Sequence, residues 1–140
     1  HVRSRRQRQM CIRDRYLTIA QIMTRKYSLP ELKNICRKYH IHGFANTRKN
    51  EIALMISKTF YEEPDEMLDI LLEDDEAVAL LSLFFVHEHN AVSLKGPVPS
   101  AIDDAFMVNY NKKKHMISVP QDIYFILSKY FKKHHINIKS

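Results

Sequence analysis

The segment YSLPELKNICRKYHIHGFANTRKNEIALMISKTF, residues 27–60, constrains the fold more than any other part of the chain, because it marks two helix starts and the turn between them. Ser28 stands three residues before Glu31, so its hydroxyl can accept from the first turn while Glu31 reaches back to complete a capping box. Pro30 suits that turn, where its missing N–H costs nothing. Leu29, Leu32, Ile35, Cys36 and Tyr39 then recur at spacings of three and four, which predicts an amphipathic helix ending near His40. Gly43, one of only two glycines and just after Ile41, predicts a bend with positive φ at its own position. Thr47 is placed to cap a second helix, with Glu51 in its first turn and Ile52, Met55, Ile56 and Phe60 as its buried stripe. Arg48 and Lys49 fall at the start of that helix, where the dipole prefers anions. Two cations in a mildly unfavourable place point to an anionic partner.

In the order LPELK, IHGF, TRKNEI, the residues Leu29, Leu32, Ile41, Gly43, Phe44, Arg48, Lys49, Glu51, Ile52 and Ile56 carry a family pattern. About a quarter of the chain thereby resembles the small helix-loop-helix domain at the N-terminus of the transcription terminator Rho, related in shape to the SAP domain. At Asn46-Thr47 the chain departs from that family, which more often has a basic or apolar residue there. The resemblance implies a compact helical module that assists nucleic-acid binding, or in some members docks to another protein or links domains. It implies phosphate contacts by Arg48 and Lys49, and the basic helix-loop-helix adds Lys33, Arg37 and Lys38 as candidates.

Residues 1–15, HVRSRRQRQMCIRDR, have no apolar period and hold six arginines against one aspartate. RQRQMCIRDR resembles a translated sequencing-library adapter, so the tail is expected to be artefactual or disordered, with a phosphate-binding basic arm as the alternative. Without it, the 22 Lys+Arg and 16 Asp+Glu become 16 and 15, and the net charge falls from +6 to +1. The remaining charge is segregated. Residues 16–60 carry eight basic and two acidic side chains, residues 61–90 none and ten, and residues 91–140 eight and three. Screening limits the reach of the acidic block to about 10 Å, so a local phosphate-binding face is compatible with near neutrality.

The expected organisation is a tail (1–15), a Rho N-terminal/SAP-like module (16–60) and a helical domain (61–140) with a hairpin near 107–119. The fold class is mainly α. No run approaches the roughly 20 apolar residues of a membrane span, and residues 1–15 lack a signal peptide's apolar core, so the expectation is no membrane and a cytoplasmic protein. Two cysteines give no disulfide framework, and Cys36 reads as core packing. The end, HHINIKS, has no clear terminating structure, which is compatible with a fragment of a longer protein.

Beyond residue 61, Pro64 opens a helix through Met67, Leu68, Leu71 and Leu72, and Asp74 or Asp75 caps another, apolar nearly all round, expected at the centre of the core. AVSLKGPVP reads as a short extended piece and a loop, and Ser100 as the cap of a helix through Ile102, Ala105 and Phe106. MVNYNKKKHMISV predicts a hairpin with a four- or five-residue tip, and Pro120 starts a final helix. That order is compatible with a winged-helix-like domain whose wing would be Lys112, Lys113 and Lys114. Its recognition helix would then offer Asp103 and Asp104, which phosphates repel, so base-specific reading is not expected.

Close histidine pairs occur, but without the cysteines or spacings of a zinc site no metal is expected. Two glycines cannot build a phosphate loop, and no nucleophile motif appears, so neither a cofactor nor an enzyme is expected. The function read from the sequence is therefore a non-catalytic nucleic-acid-binding accessory module, DNA or RNA, weak and salt-sensitive. Protein docking or linking is the alternative.

Overall fold

A computed structural model describes residues 18–134. The arginine-rich tail lies outside the described residues. The protein is mainly helical with a small antiparallel sheet, and it divides into two compact units, His1–Pro64 and Asp65–Ser140.

In the first unit residues 18–26 form α1, followed by α2 (Leu29–Lys38) and α3 (Lys49–Glu62). Its core gathers Ile19 and Met23 from α1, Leu32 and Cys36 from α2, and Ile52, Ala53, Ile56 and Phe60 from α3, all with 0% exposure. The capping box forms: the Ser28 amide and hydroxyl donate to Glu31 Oε1 at 3.0 and 2.9 Å, and the Glu31 amide donates to Ser28 Oγ at 3.4 Å. One expectation holds and one needs correction. Helix α2 ends near His40 as expected, because the Ile41 amide donates back to Cys36 O at 2.8 Å and the His40 amide to Arg37 O at 3.3 Å, with His40 itself at φ 59. This is a Schellman terminator with histidine in the left-handed position that glycine usually takes. Gly43 bends the chain as well, at φ 87. Thr47 does not cap α3, since its hydroxyl donates to Gly43 O at 3.2 Å; the N-cap is Arg48, with no side-chain hydrogen bond.

The second unit holds α4 (Pro64–Leu71) from its second residue onward, then α5 (Asp75–Val86), β1 (Ala91–Ser93), α6 (Ala101–Asp104), β2 (Asn109–Asn111), β3 (Met116–Ser118) and α7 (Gln121–Lys133). Asp74 caps α5 through the Glu76 amide at 3.0 Å, and Ala77, Leu80, Leu81 and Phe84 on α5 are buried. The strands run in the order β1-β3-β2, all antiparallel. Val92, Ile117 and Tyr110 form one cross-strand row, in which Val92 and Ile117 are buried. Beyond the three-residue ladder, Asn90 and Val119 exchange backbone and side-chain bonds at 2.9 Å, and the Leu94 amide donates to His115 O at 2.7 Å.

The helix expected from Ser100 is corrected to the single turn of α6. Ser100 Oγ donates to Glu76 Oε2 at 2.8 Å instead of capping, and the following run from Ala105 to Val108 is irregular yet wholly buried. A one-turn element cannot lie along a groove, so the recognition position of a winged helix has no helix to fill it.

Helix α5 ends as α2 does. The His89 amide donates to Phe84 O at 2.9 Å, the Glu88 amide to Phe85 O at 3.3 Å, and Glu88 has φ 50. Left-handed backbone costs a side-chain-bearing residue about 1–2 kcal/mol. His40→Gly and Glu88→Gly are therefore each expected to stabilise the protein by about 1 kcal/mol, after the extra entropy that glycine gives the unfolded chain. Urea titrations of both variants check this; a lower midpoint for either would contradict it.

Candidate nucleic-acid interface

Helix α2 presents its cations on two edges. At about 100° per residue, Lys33 and Arg37 share one side of the solvent face, while Lys38 lies near the stripe of Glu31 and Asn34. Lys33 is half-buried and Arg37 and Lys38 are exposed. Arg37 is held in place: its Nη1 donates to Asn34 Oδ1 at 2.7 Å, and its guanidinium lies 5.5 Å from the Phe44 ring centroid. That second contact joins the end of α2 to the residue after Gly43, and a guanidinium over a ring keeps its full charge for an outside anion. Lys38 Nζ lies 5.8 Å from the Tyr39 ring.

The start of α3 supplies the other pair. Arg48 is exposed at the N-cap, and Lys49, half-buried, is the first helical residue. The amides of this first turn are met by no N-cap side chain, and Glu51 is the acidic residue within the turn. Glu31 lies within electrostatic reach of Lys49. Its carboxyl is held below the usual range first by the Ser28 amide, then by the Ser28 hydroxyl, with Lys49 adding a smaller pull. Lys49 at the start of α3 thus acts on Glu31 in the first turn of α2. Near that start, Ala20, Gln21 and Thr24 of α1 and Asn50, Glu51 and Leu54 of α3 line an open cleft of about 370 Å³.

The first unit thus carries Lys33, Arg37, Lys38, Arg48 and Lys49 on the exposed sides of α2 and on the first turn of α3. Lys112, Lys113 and Lys114 belong to the second unit. With His115 they form the four-residue tip between β2 and β3, all exposed, and the tip is pinned by the Lys114 amide donating to Asn111 Oδ1 at 3.2 Å. Their charge points to solvent from a fixed turn.

Four carboxylates of the acidic block are engaged within the second unit. Asp65 pairs with Lys133 at 2.8 Å, and its hydrogen bond raises the ammonium's pKa. Asp69 accepts from the Tyr130 hydroxyl, whose pKa is raised first by burial and then by that bond. Asp74 and Glu76 hold α5 and Ser100, as described above. Among the described residues, no three His, Cys, Asp or Glu side chains converge to hold a metal ion, and no helix is long and apolar enough to cross a membrane. No family model matches the chain, and no match emerges among curated proteins or solved structures.

Helix α1 is the element that sequence reading missed, although Ile19, Met23 and Tyr27 recur at spacings of four and are buried. It contributes half of the cleft beside Arg48 and Lys49.

Proposed function

We propose that the first unit is a non-catalytic, Rho N-terminal/SAP-like accessory module of a cytoplasmic protein that holds DNA or RNA by its phosphates. The observation that supports this best is the start of α3, where Arg48 stands exposed at a cap that no side chain fills and Lys49 follows it. A phosphate there meets two cations, the open amides of a helix start and the positive end of the dipole together. Lys33, Arg37 and Lys38 extend the positive field along α2, and Lys112, Lys113 and Lys114 add a second, sequence-independent contact. Such binding is weak, tolerant of sequence and steeply salt-dependent, because its driving force is counterion release.

Anisotropy titrations of single-stranded RNA, single-stranded DNA and duplex DNA at two salt concentrations, with residues 16–140, test the reading. Arg48→Glu with Lys49→Glu is expected to abolish retention at low salt and to flatten the salt dependence by about two phosphate contacts. The double variant is expected to melt within a few degrees of the parent, since two carboxylates at a helix start gain from the dipole about what Lys49 loses in leaving Glu31. Unchanged binding by the folded variant would move the phosphate contacts away from Arg48 and Lys49, and no binding by the parent to any of the three nucleic acids would leave protein docking.

A further inference from the structure

Helix α7 carries a second feature that the basic module does not use. Phe125 is 56% exposed, the most exposed of the large apolar side chains. It does not stand alone. Its ring lies edge-on to Tyr124 at 5.9 Å, Tyr124 lies against Phe85 of α5 at 5.2 Å, and Phe85 lies against buried Phe131 at 4.9 Å. The exposed ring is therefore the outer end of a row of four rings that leads to buried Phe131. Lys129 and Lys132 follow at the next turns of the same face, about 6 and 10 Å along the axis, both exposed. Lys133, by contrast, is taken by Asp65. The only carboxylate on the helix, Asp122, stands one turn before Phe125 on the same face and accepts from the Ile123 amide at 3.0 Å.

An exposed ring in line with two cations that have no ion-pair partner among the described residues matches a ligand with flat π-faces and regularly spaced negative charges. We propose that this face of α7 is a stacking platform for single-stranded nucleic acid, with a base laid on Phe125 and neighbouring phosphates on Lys129 and Lys132. The inference rests on the nucleic-acid reading above but uses a different unit and different residues. Duplex DNA hides its base faces in the stack, so the platform discriminates strandedness, whereas the phosphate contacts at Arg48 and Lys49 do not.

The chain has no tryptophan, so Phe125→Trp places a lone reporter at the site. Its emission is expected to fall on titration with oligo(dT) at low salt, to recover with added salt, and to be unaffected by duplex DNA. Phe125→Ala is expected to weaken oligo(dT) binding by about 5- to 100-fold, with Phe125→Tyr close to the parent. Equal quenching by polyglutamate would overturn the proposal in favour of an acidic protein partner. A parent dimer converted to monomer by Phe125→Ala would overturn it in favour of self-association, and undiminished oligo(dT) binding by Phe125→Ala would overturn it outright. Repeating the titration in the Arg48→Glu, Lys49→Glu background separates the two readings. Quenching that persists while duplex binding is lost supports both; quenching that persists with duplex binding intact leaves the platform and removes the module; loss of duplex binding without quenching in either background does the reverse.

Discussion

Phe106→Ala is expected to lower the melting temperature by about 10–30 °C, the consequence of a loss of about 3–5 kcal/mol. Phe106 has 0% exposure and sits in the run Ala105, Phe106, Met107, Val108, every member of which is equally buried. The run is not a helix or strand that could slide to refill the space. Its amides are tied into tight turns, from Phe106 to Asp104 O at 3.1 Å and from Val108 to Ala105 O at 2.9 Å, so a cavity left by the ring stays open. Circular-dichroism melts of Phe106→Ala beside Phe125→Ala give the comparison. The exposed phenylalanine is expected to cost no more than about 0.5 kcal/mol. Equal shifts for the two would contradict the burial described for this segment.

Alkaline pH is expected to weaken the native state through Cys36. The side chain has 0% exposure, and burial pushes its thiol from an ordinary value near 9.0 up to about 11, with Arg37 opposing slightly. Below pH 9 both folded and unfolded chains keep this proton, and the thiol has no effect on the pH dependence. Between about pH 9 and 11 the unfolded chain releases it while the folded chain holds it, so stability falls by about 1.4 kcal/mol per pH unit, about 3 kcal/mol in all. Tyr130, also raised, acts in the same direction at higher pH. Urea titrations at pH 8 and pH 10.5 isolate the cysteine when paired with Cys36→Ala, which carries a constant packing cost but should lose less stability between the two pH values. Parallel losses in both proteins would exclude Cys36 as the source.

Local chemistry was legible in the sequence wherever a few neighbouring residues decide the outcome. Ser28 with Glu31, Pro64, Asp74 and the Asn-Lys-Lys-Lys tip each announce an element that forms where expected. Features settled by distant partners were not legible. Ser100 has the chemistry of a cap, yet its hydroxyl finds Glu76 across 24 residues, and the helix it was expected to start is one turn long. Thr47 similarly turns back to Gly43 and leaves α3 to begin at Arg48. His40 and Glu88 hold left-handed backbone that their side chains do not advertise, because the terminating hydrogen bonds impose it. At the candidate interface, helical period alone divides Lys33 and Arg37 from Lys38. The ring of Phe44 beneath Arg37 depends on the path of the loop, and so does the pull of Lys49 on Glu31. Phe125 stands two residues from both Ile123 and Leu127, off the buried stripe of α7, and lies on the surface.

The sheet order sets a schedule for the chain as it is made. Strand β1 finds its partner only in β3, with Ala91 opposite Ser118 and Ser93 opposite Met116. Translation at about 5–20 residues per second puts roughly one to five seconds between the synthesis of the two strands. For that interval Val92 and Leu94, both buried at the end, have no strand to cover them. The β2–β3 hairpin closes over four residues and can form as soon as its second arm emerges, so the late strand arrives carrying one partner and recruits the other.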